Sequence, residues 1–124
     1  MKKERDQINA FLGKETEFEG KLSFTGVVRV DGRFKGEISS EGTLIIGETA
    51  VVASEIRAAH VIVSGEVRGT IVAADRIEIH APARVYGNIS APVVVIDEGV
   101  IFEGNCEMEE RGKGLDKKVA LFPQ

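Results

Sequence analysis

One short pattern recurs six times along this chain of 124 residues: an apolar residue, any residue, a central glycine, any residue and a second apolar residue. The central positions are Gly20, Gly36, Ser54, Gly69, Gly87 and Gly104, separated by 16, 18, 15, 18 and 17 residues, so that serine replaces glycine once. A period of this length is shorter than those of the common helical repeats and matches one coil of a β-solenoid. The repeat therefore predicts a rod whose function lies on its sides and ends.

A second apolar segment follows each of the first five central positions by seven or eight residues. These segments are 28–30, 44–46, 61–63, 77–79 and 94–96. Short runs rich in Val and Ile, bounded by Gly, Asp, Ser or Pro, are typical of β-strands. Two strands per coil, with like strands stacked in parallel after each full coil, predict an all-β, single-stranded parallel β-helix of about six coils. The glycine is expected to form a tight bend, and a β-sandwich with accidental periodicity is the disfavoured alternative.

The repeat divides the chain into three parts. Residues 18–106 are the predicted β-helix domain, and the charge-rich segments 1–17 and 107–124 are predicted to be flexible tails. The formal net charge of −4 and the lack of a basic stripe argue against a nucleic-acid partner. Cys106 is the only cysteine, which suits a reducing cytoplasm, and its inward position predicts a small core residue. We expect neither a signal peptide nor a membrane-spanning helix.

The N-terminal segment has a feature typical of membrane contact. Three basic residues precede a small apolar cluster, and the set is Lys2, Lys3, Arg5, Ile8, Phe11 and Leu12. Such a segment can rest on an anionic membrane surface, although each basic contact contributes only about 1 kcal/mol. Many copies on one polymer would bind well, because later contacts become intramolecular. The alternatives are a disordered tail and a tail whose Phe11 and Leu12 cap the first coil.

Catalytic and metal-binding patterns are weak. His60 precedes a strand of the second type and His80 follows one, and neither has a metal-like spacing to another histidine or to Cys106. We expect both histidines to be surface or strand-edge residues. The hexapeptide repeats of β-helical acyltransferases, the long side loops of polysaccharide lyases, and calcium or phosphate motifs are missing. The sequence thus predicts no catalytic residue, no metal and no cofactor.

The ends of the predicted solenoid are its most distinctive feature. A solenoid exposes an apolar cross-section at each terminus unless a polar cap covers it, and neither flank shows a convincing capping helix. The expected end residues are Phe18, Leu22 and Phe24 in the first coil and Val100, Ile101, Phe102 and Cys106 in the last. Exposed apolar surface and open strand edges favour end-to-end association, which produces filaments when the contacts do not close. A self-assembling module is the leading hypothesis.

Residues 18–38, which read FEGKLSFTGVVRVDGRFKGEI, resemble the opening of a bactofilin domain, and the resemblance extends over about residues 14–107. It implies a right-handed β-helix with a three-sided apolar core in a bacterial cytoskeletal protein that forms non-polar filaments through its terminal coils, without nucleotide. It also implies a cytoplasmic scaffold on the inner membrane that positions cell-wall-modifying enzymes or cell-shape machinery. The alternative is a non-polymerising β-helix that presents its flat faces to a protein or polysaccharide.

Overall fold

The computed structural model describes residues 10–108, and every regular element within that range is a β-strand. The ten strands are β1 (Ala10–Leu12), β2 (Glu17–Phe24), β3 (Val27–Val30), β4 (Arg33–Ser40), β5 (Thr43–Ile46), β6 (Val51–Val63), β7 (Glu66–Ile79), β8 (Arg84–Ser90), β9 (Val93–Ile96) and β10 (Ile101–Glu107). All of them pair in parallel within one sheet. Parallel pairing of sequential strands requires a full coil between partners, as the repeat predicts.

The strands stack in two columns. The glycine column contains β2, β4, the first half of β6, the first half of β7, β8 and β10. The second column contains β1, β3, β5, the second halves of β6 and β7, and β9. Each column has six rungs, which confirms the predicted parallel β-solenoid of about six coils. Strands β6 and β7 serve both columns, and the register between them shifts between Ala58 and His60.

Side chains that point into the solenoid form ladders of similar residues. One ladder consists of Phe34, Val52, Val67 and Val85, and another of Ile38, Ile56, Ile71 and Ile89, all fully buried. Burying one Val, Ile or Phe side chain contributes about 1.5–3 kcal/mol, so these ladders are a main source of stability. Because each rung places the same type of side chain on the one below it, the repeated sequence gives a repeated structure.

Glycine forms a corner in the middle of five of the six rungs of the glycine column. Strict alternation would turn Gly36 towards the core together with Phe34 and Ile38. Instead Gly36 is exposed and has a φ angle of 133°, a conformation that glycine adopts far more readily than other residues. A Cβ atom at this position would overlap the carbonyl oxygen of Gly20 in the preceding coil. The predicted bend is present, and glycine also allows successive coils to approach each other.

Ser54 is the exception in the glycine column. It does not adopt the positive φ angle of its neighbours in the column, and it is buried. Its hydroxyl oxygen has no hydrogen-bond partner within residues 10–108. The third rung therefore turns this corner with ordinary backbone geometry and places a polar atom where the other rungs have none.

The variable repeat length comes largely from the turn that follows the second column. Two residues make this turn at 31–32 and 64–65, whereas four make it at 13–16, 47–50, 80–83 and 97–100. Both spacings of 18 residues include a four-residue turn, and the spacings of 16 and 15 include a two-residue turn. The extra residues leave the pairing of the rungs unchanged, so the period varies while the stacking is maintained.

The solenoid begins inside the segment that the sequence predicted to be an N-terminal tail. Strand β1 pairs with β3, and Leu12 packs against the core beside Val30. This position agrees with the alternative in which Leu12 caps the first coil. At the other end, β10 extends to Glu107. Residues 1–9 and 109–124 of the predicted tails lie outside the described residues.

Candidate functional site at the ends of the solenoid

The N-terminal end face consists of the inward-facing side chains of the first coil. They are Ala10 and Leu12 of β1 and Phe18, Leu22 and Phe24 of β2. The ring of Phe18 stacks on that of Phe34, with centroids 5.1 Å apart and planes inclined by 10°. Phe34 is buried but Phe18 is only half-buried, because Phe18 lies on the outermost rung. The three predicted residues of this end therefore lie on one apolar face.

The C-terminal end face is built in the same way from the last coil. Its side chains are Val94 and Ile96 of the second column, Val100, and Phe102 and Cys106 of the glycine column. Phe102 covers Val85 and remains half-buried, and Ile96 is 43% exposed. Val94 and Ile96 were not predicted as end residues, although 94–96 is the last segment of its type in the sequence and this order was a signal that it lies at the end.

Ile101 differs from the other predicted end residues. It occupies the column of Arg84, on the outer side of β10, and is 48% exposed. Since side chains alternate along a strand, Ile101 and Phe102 cannot both face the core. Ile101 therefore lies at the margin of the end face.

Cys106 lies in the inward column above Ile89 but is exposed, because no rung within residues 10–108 covers it. Partial burial raises the pKa of its thiol, and the charge of Glu107 raises it further. A raised pKa keeps the thiol protonated, and the protonated form is a poor nucleophile. The residue contributes apolar surface to the end face.

Both ends present open strand edges. Within residues 10–108, β1 and β2 pair only with β3 and β4, and β9 and β10 pair only with β7 and β8. The outer edges therefore carry backbone N–H and C=O groups that can pair with another strand. Apolar side chains next to open edges make each end suitable for contact with another protein chain.

Phe11 and Leu12, both predicted to contact a membrane, point to opposite sides of β1. Phe11 is 60% exposed on the outer surface, in the column of Arg29, whereas Leu12 packs against the core. Of these two, only Phe11 is free to contact a surface. Lys2, Lys3, Arg5 and Ile8 lie outside the described residues. Within the described range the chain contains no helix that could span a membrane.

A network of charged side chains joins three coils below the C-terminal end. Glu78 bonds to Arg76 Nε at 2.8 Å, His60 Nε2 at 3.2 Å and His80 Nε2 at 3.1 Å, and His80 Nδ1 lies 2.8 Å from Asp97 Oδ2. The bonds to Asp97 and Glu78 raise the pKa of His80. Bonds from His80, His60 and Arg76 lower the pKa of Glu78. Within residues 10–108 no group of three or more His, Cys, Asp or Glu side chains is arranged to hold a metal ion.

This network was not predicted from the sequence. His60 does lie just before the second-column segment 61–63 and His80 just after β7, as expected, but Glu78 was not identified as their common partner. The link depends on the strand register, in which Glu78 pairs with Ile62 beside His60. Successive repeats here differ in length, 15 residues and then 18, so the sequence alone does not show which residues of neighbouring coils pair.

A parallel β-solenoid whose end strands are apolar and have no outer partner among the described residues is a module suited to self-association. The family model for bactofilins, described as polymer-forming cytoskeletal, matches residues 10–107. The chain therefore belongs to the bactofilin family, which confirms the resemblance seen in its sequence. The description is that of a structural protein rather than an enzyme.

Individual bactofilins resemble this chain closely. BacO of Myxococcus xanthus (strain DK1622) is 34% identical over 101 residues, which are 82% of this chain and 80% of BacO. BacP of the same organism is 34% identical over 100 residues, which are 81% of this chain and 42% of BacP. The cytoskeletal bactofilin BacA, solved by solid-state NMR, has a TM-score of 0.73 and 27% identity, covering 82% of this chain and 98% of that one.

Proposed function

We propose that this protein is a cytoskeletal scaffold that assembles end to end into filaments, without nucleotide. The observation that carries the proposal is the pair of apolar end faces that no strand within residues 10–108 covers, each next to a strand edge that is open within the same range. Phe18 and Phe102 lie on these faces and are only half-buried. Burial of apolar surface is itself sufficient to drive association, so assembly needs no bound nucleotide. Membership of a polymer-forming family supports the same function.

Two of the outward columns disfavour a head-to-tail contact, and a third, in which Val95 would lie beside Phe11, does not. A head-to-tail contact that continued the columns would place Glu103 beside Glu19 and Ile101 beside Glu17. The first pair repels, and the second brings an aliphatic side chain against a carboxylate. In a two-fold contact, a residue away from the axis meets a different residue of the other copy. If N-terminal ends contact N-terminal ends and C-terminal ends contact C-terminal ends, the two kinds of junction alternate along the filament, and the filament has no polarity.

The proposed filament lies in the cytoplasm, on the inner face of the cytoplasmic membrane, where it positions cell-wall or cell-shape machinery. The membrane contact comes from the N-terminal segment, with Phe11 exposed at its end and Lys2, Lys3, Arg5 and Ile8 preceding it. Leu12 is left out of this contact because it packs against the core. Each subunit supplies one such segment, so a polymer binds through many weak contacts.

Phe102→Arg tests the end-to-end contact. We expect wild-type protein without nucleotide to form filaments in negative-stain electron microscopy. The variant should stop at particles no larger than dimers, because a charge buried without a partner is costly. Dimers joined through N-terminal ends would support contacts between like ends, whereas monomers would indicate head-to-tail contacts. Val72→Arg is the matched control, since Val72 is 37% exposed on the side of the fourth coil and should assemble normally.

Two outcomes would contradict the proposal. Wild-type particles that stay small at high concentration and across a range of salt would exclude a polymer and favour the non-polymerising binding module. Filaments that persist in Phe102→Arg would place the contact away from the C-terminal end face.

A further inference from the structure

The second column has the most apolar outer side of the solenoid within residues 10–108. From the second rung to the fifth, its strands alternate between buried side chains and side chains that face outwards. The outward residues of the glycine column are mostly charged or polar. We name the outward set of the second column the lateral face, which consists of Phe11, Val27, Arg29, Thr43, Ile45, His60, Ile62, Arg76, Glu78, Val93 and Val95.

The middle outward position of the lateral face forms a column with a symmetric pattern. From the first rung to the sixth, this column contains Phe11, Arg29, Ile45, Ile62, Glu78 and Val95. The pattern is thus apolar, cationic, apolar, apolar, anionic and apolar. Reversing the order exchanges the two charges and leaves the apolar positions in place. The column is therefore complementary to its own reverse.

A second copy that lies against this face in the opposite direction presents that reversed column. The two-fold axis of such a contact lies between the two faces, along the strands, at the level between the third and fourth rungs. It places Ile45 of each copy opposite Ile62 of the other, and Arg29 opposite Glu78. The outermost rungs bring apolar residues together at both margins. Apolar surface therefore meets apolar surface, and each charge in the column meets its opposite.

Both charged residues have bonding capacity left for this contact. Arg29 donates Nε and Nη2 to Asp31, and no hydrogen bond within residues 10–108 uses its Nη1. Glu78 has bonds to three side chains, whereas the two oxygens of a carboxylate can accept about four. The side chains of Arg29 and Glu78 are 39% and 22% exposed, so a second copy can reach both.

The other positions along the same rungs are compatible with this arrangement. The polar residues of the third and fourth rungs face each other. Asp31, in the turn after the second rung, lies opposite His80, in the turn after the fifth. Val27 lies opposite Arg76, where the aliphatic stem of the arginine can cover the valine. Like charges therefore do not meet anywhere on these described rungs.

The remaining outer sides of the solenoid lack this property within residues 10–108. On the side before the glycine corner, the same operation would place Glu19 opposite Glu103 and Arg33 opposite Arg84. On the side after the corner, no opposite charges would meet. A parallel contact through the lateral face would place Arg29 opposite its own copy, and like charges at a contact are costly. Charge therefore selects both the lateral face and the antiparallel direction.

We propose that the lateral face joins two copies of this protein side by side in opposite directions, with Ile45 of each copy against Ile62 of the other. This inference rests on the proposed assembly into filaments, to which it adds a contact between filaments. The centre of the contact is apolar, and the pairs of Arg29 with Glu78 on either side fix its direction and register. Phe11 lies at the margin and also belongs to the proposed membrane contact, so the centre is the part to test.

The size of the contact limits it to polymers. Six rungs about 4.8 Å apart, with strands of four residues at about 3.3 Å each, give roughly 400 Å² per copy. A stable interface usually buries about 1,200 Å² or more, counted over both partners. Two isolated subunits should therefore not remain paired. Two filaments make many such contacts at once and hold together through their number.

Ile45→Glu and Ile62→Lys test the centre of the contact. Each substitution puts a charge against an isoleucine of the other copy, and the monomer should fold because both side chains already face outwards. Val72→Glu is the matched control, since Val72 faces outwards on a different side of the solenoid. The full chain is polymerised without nucleotide, and circular dichroism checks the fold. High-speed sedimentation measures all filaments, and low-speed sedimentation with electron microscopy measures filaments joined side by side.

We expect Ile45→Glu and Ile62→Lys to polymerise like wild type but to reduce the low-speed pellet at least fivefold. Val72→Glu should leave this pellet unchanged. Mixing preformed filaments of Ile45→Glu with preformed filaments of Ile62→Lys should restore at least half of the pellet. The reason is that the antiparallel contact brings the two substituted positions together with opposite charges.

Variant filaments that join side by side like wild type, or a mixture that is not restored, would overturn the lateral inference and leave the proposed function standing. Wild-type filaments that stay single at physiological salt would do the same. Normal joining of Ile45→Glu filaments together with weaker binding to phosphatidylglycerol vesicles would assign the face to lipid, which also overturns the inference. A wild-type chain that never polymerises overturns the proposed function, and the lateral contact with it.

Discussion

Gly20 and Gly36 occupy the same corner of consecutive rungs but differ in what lies beneath them. Both have positive φ angles, 139° and 133°. A Cβ atom at Gly36 would overlap the backbone of Gly20, whereas within residues 10–108 one at Gly20 would meet only the Phe18 ring, at 3.7 Å. Substitution of Gly20 therefore tests only the cost of the backbone conformation. Substitution of Gly36 tests the same cost together with the cost of blocking close stacking between rungs.

We expect Gly20→Ala to lower the free energy of unfolding by about 1–2 kcal/mol, the scale of left-handed strain in a residue with a side chain. Gly36→Ala should lower it by at least about 3 kcal/mol, because it adds a steric overlap to similar strain. Denaturant unfolding in a Phe102→Arg background, at concentrations too low for assembly, measures the monomer. Equal losses in the two variants would contradict the stacking explanation.

At the scale of elements, the last rung of the second column is tied to the rung below it by side chains as well as by the backbone. His80 follows β7 and Asp97 follows β9, and Nδ1 and Oδ2 of these residues are 2.8 Å apart. Both ring nitrogens of His80 face carboxylates, so the charged imidazole can donate to both. The network thus stabilises the strand that carries Val93 and Val95 when His80 is protonated.

The dependence on pH has a defined sign. Because the pKa of His80 is raised, its contribution is full below the ordinary value of 6.5 and is lost as pH rises through the raised pKa. Because the pKa of Glu78 is lowered, its contribution is present above the ordinary value of 4.5 and is lost as pH falls through the lowered pKa. The network contributes most between these two ordinary values.

We expect Asp97→Asn to bring the pKa of His80 back towards its ordinary value in an NMR titration, while Glu98→Gln leaves it unchanged. The variant should also reduce the gain in stability on lowering the pH from 8.5 to 6.5, by about 0.5 kcal/mol or less, as for other exposed ion pairs. An unchanged titration of His80 in Asp97→Asn would contradict the assigned role of Asp97.

At the scale of the whole molecule, the first coil sets how a filament can meet a membrane. Phe11 is exposed on the outer surface, and the segment that precedes it carries Lys2, Lys3 and Arg5. We expect Phe11→Glu to reduce co-sedimentation of the polymer with anionic phosphatidylglycerol vesicles severalfold, and Val72→Glu to leave it unchanged. Salt should weaken the wild-type binding. Binding that survives in Phe11→Glu would remove this residue from the contact.

The sequence predicted the interior of the solenoid better than its ends. Phe34 and Ile38 recur on successive coils, so the repeat alone was enough to predict the buried ladders. Leu12 was placed in a tail because β1 has three residues and lacks the repeated pattern. Val94 and Ile96 were recognised as strand residues but not as end residues, because this role depends on which strand has no neighbour above it.

The mixture of two- and four-residue turns after the second column has a consequence for how such sequences diverge. A change of two residues in the turn at 47–50 or 80–83 alters the length of one coil, while Phe34, Val52 and the other stacked residues keep their partners. One residue inserted between Phe34 and Gly36 would reverse which side chains face the core. Insertions and deletions should therefore accumulate at one corner, so searches that assume a fixed period will overlook related chains that preserve every rung.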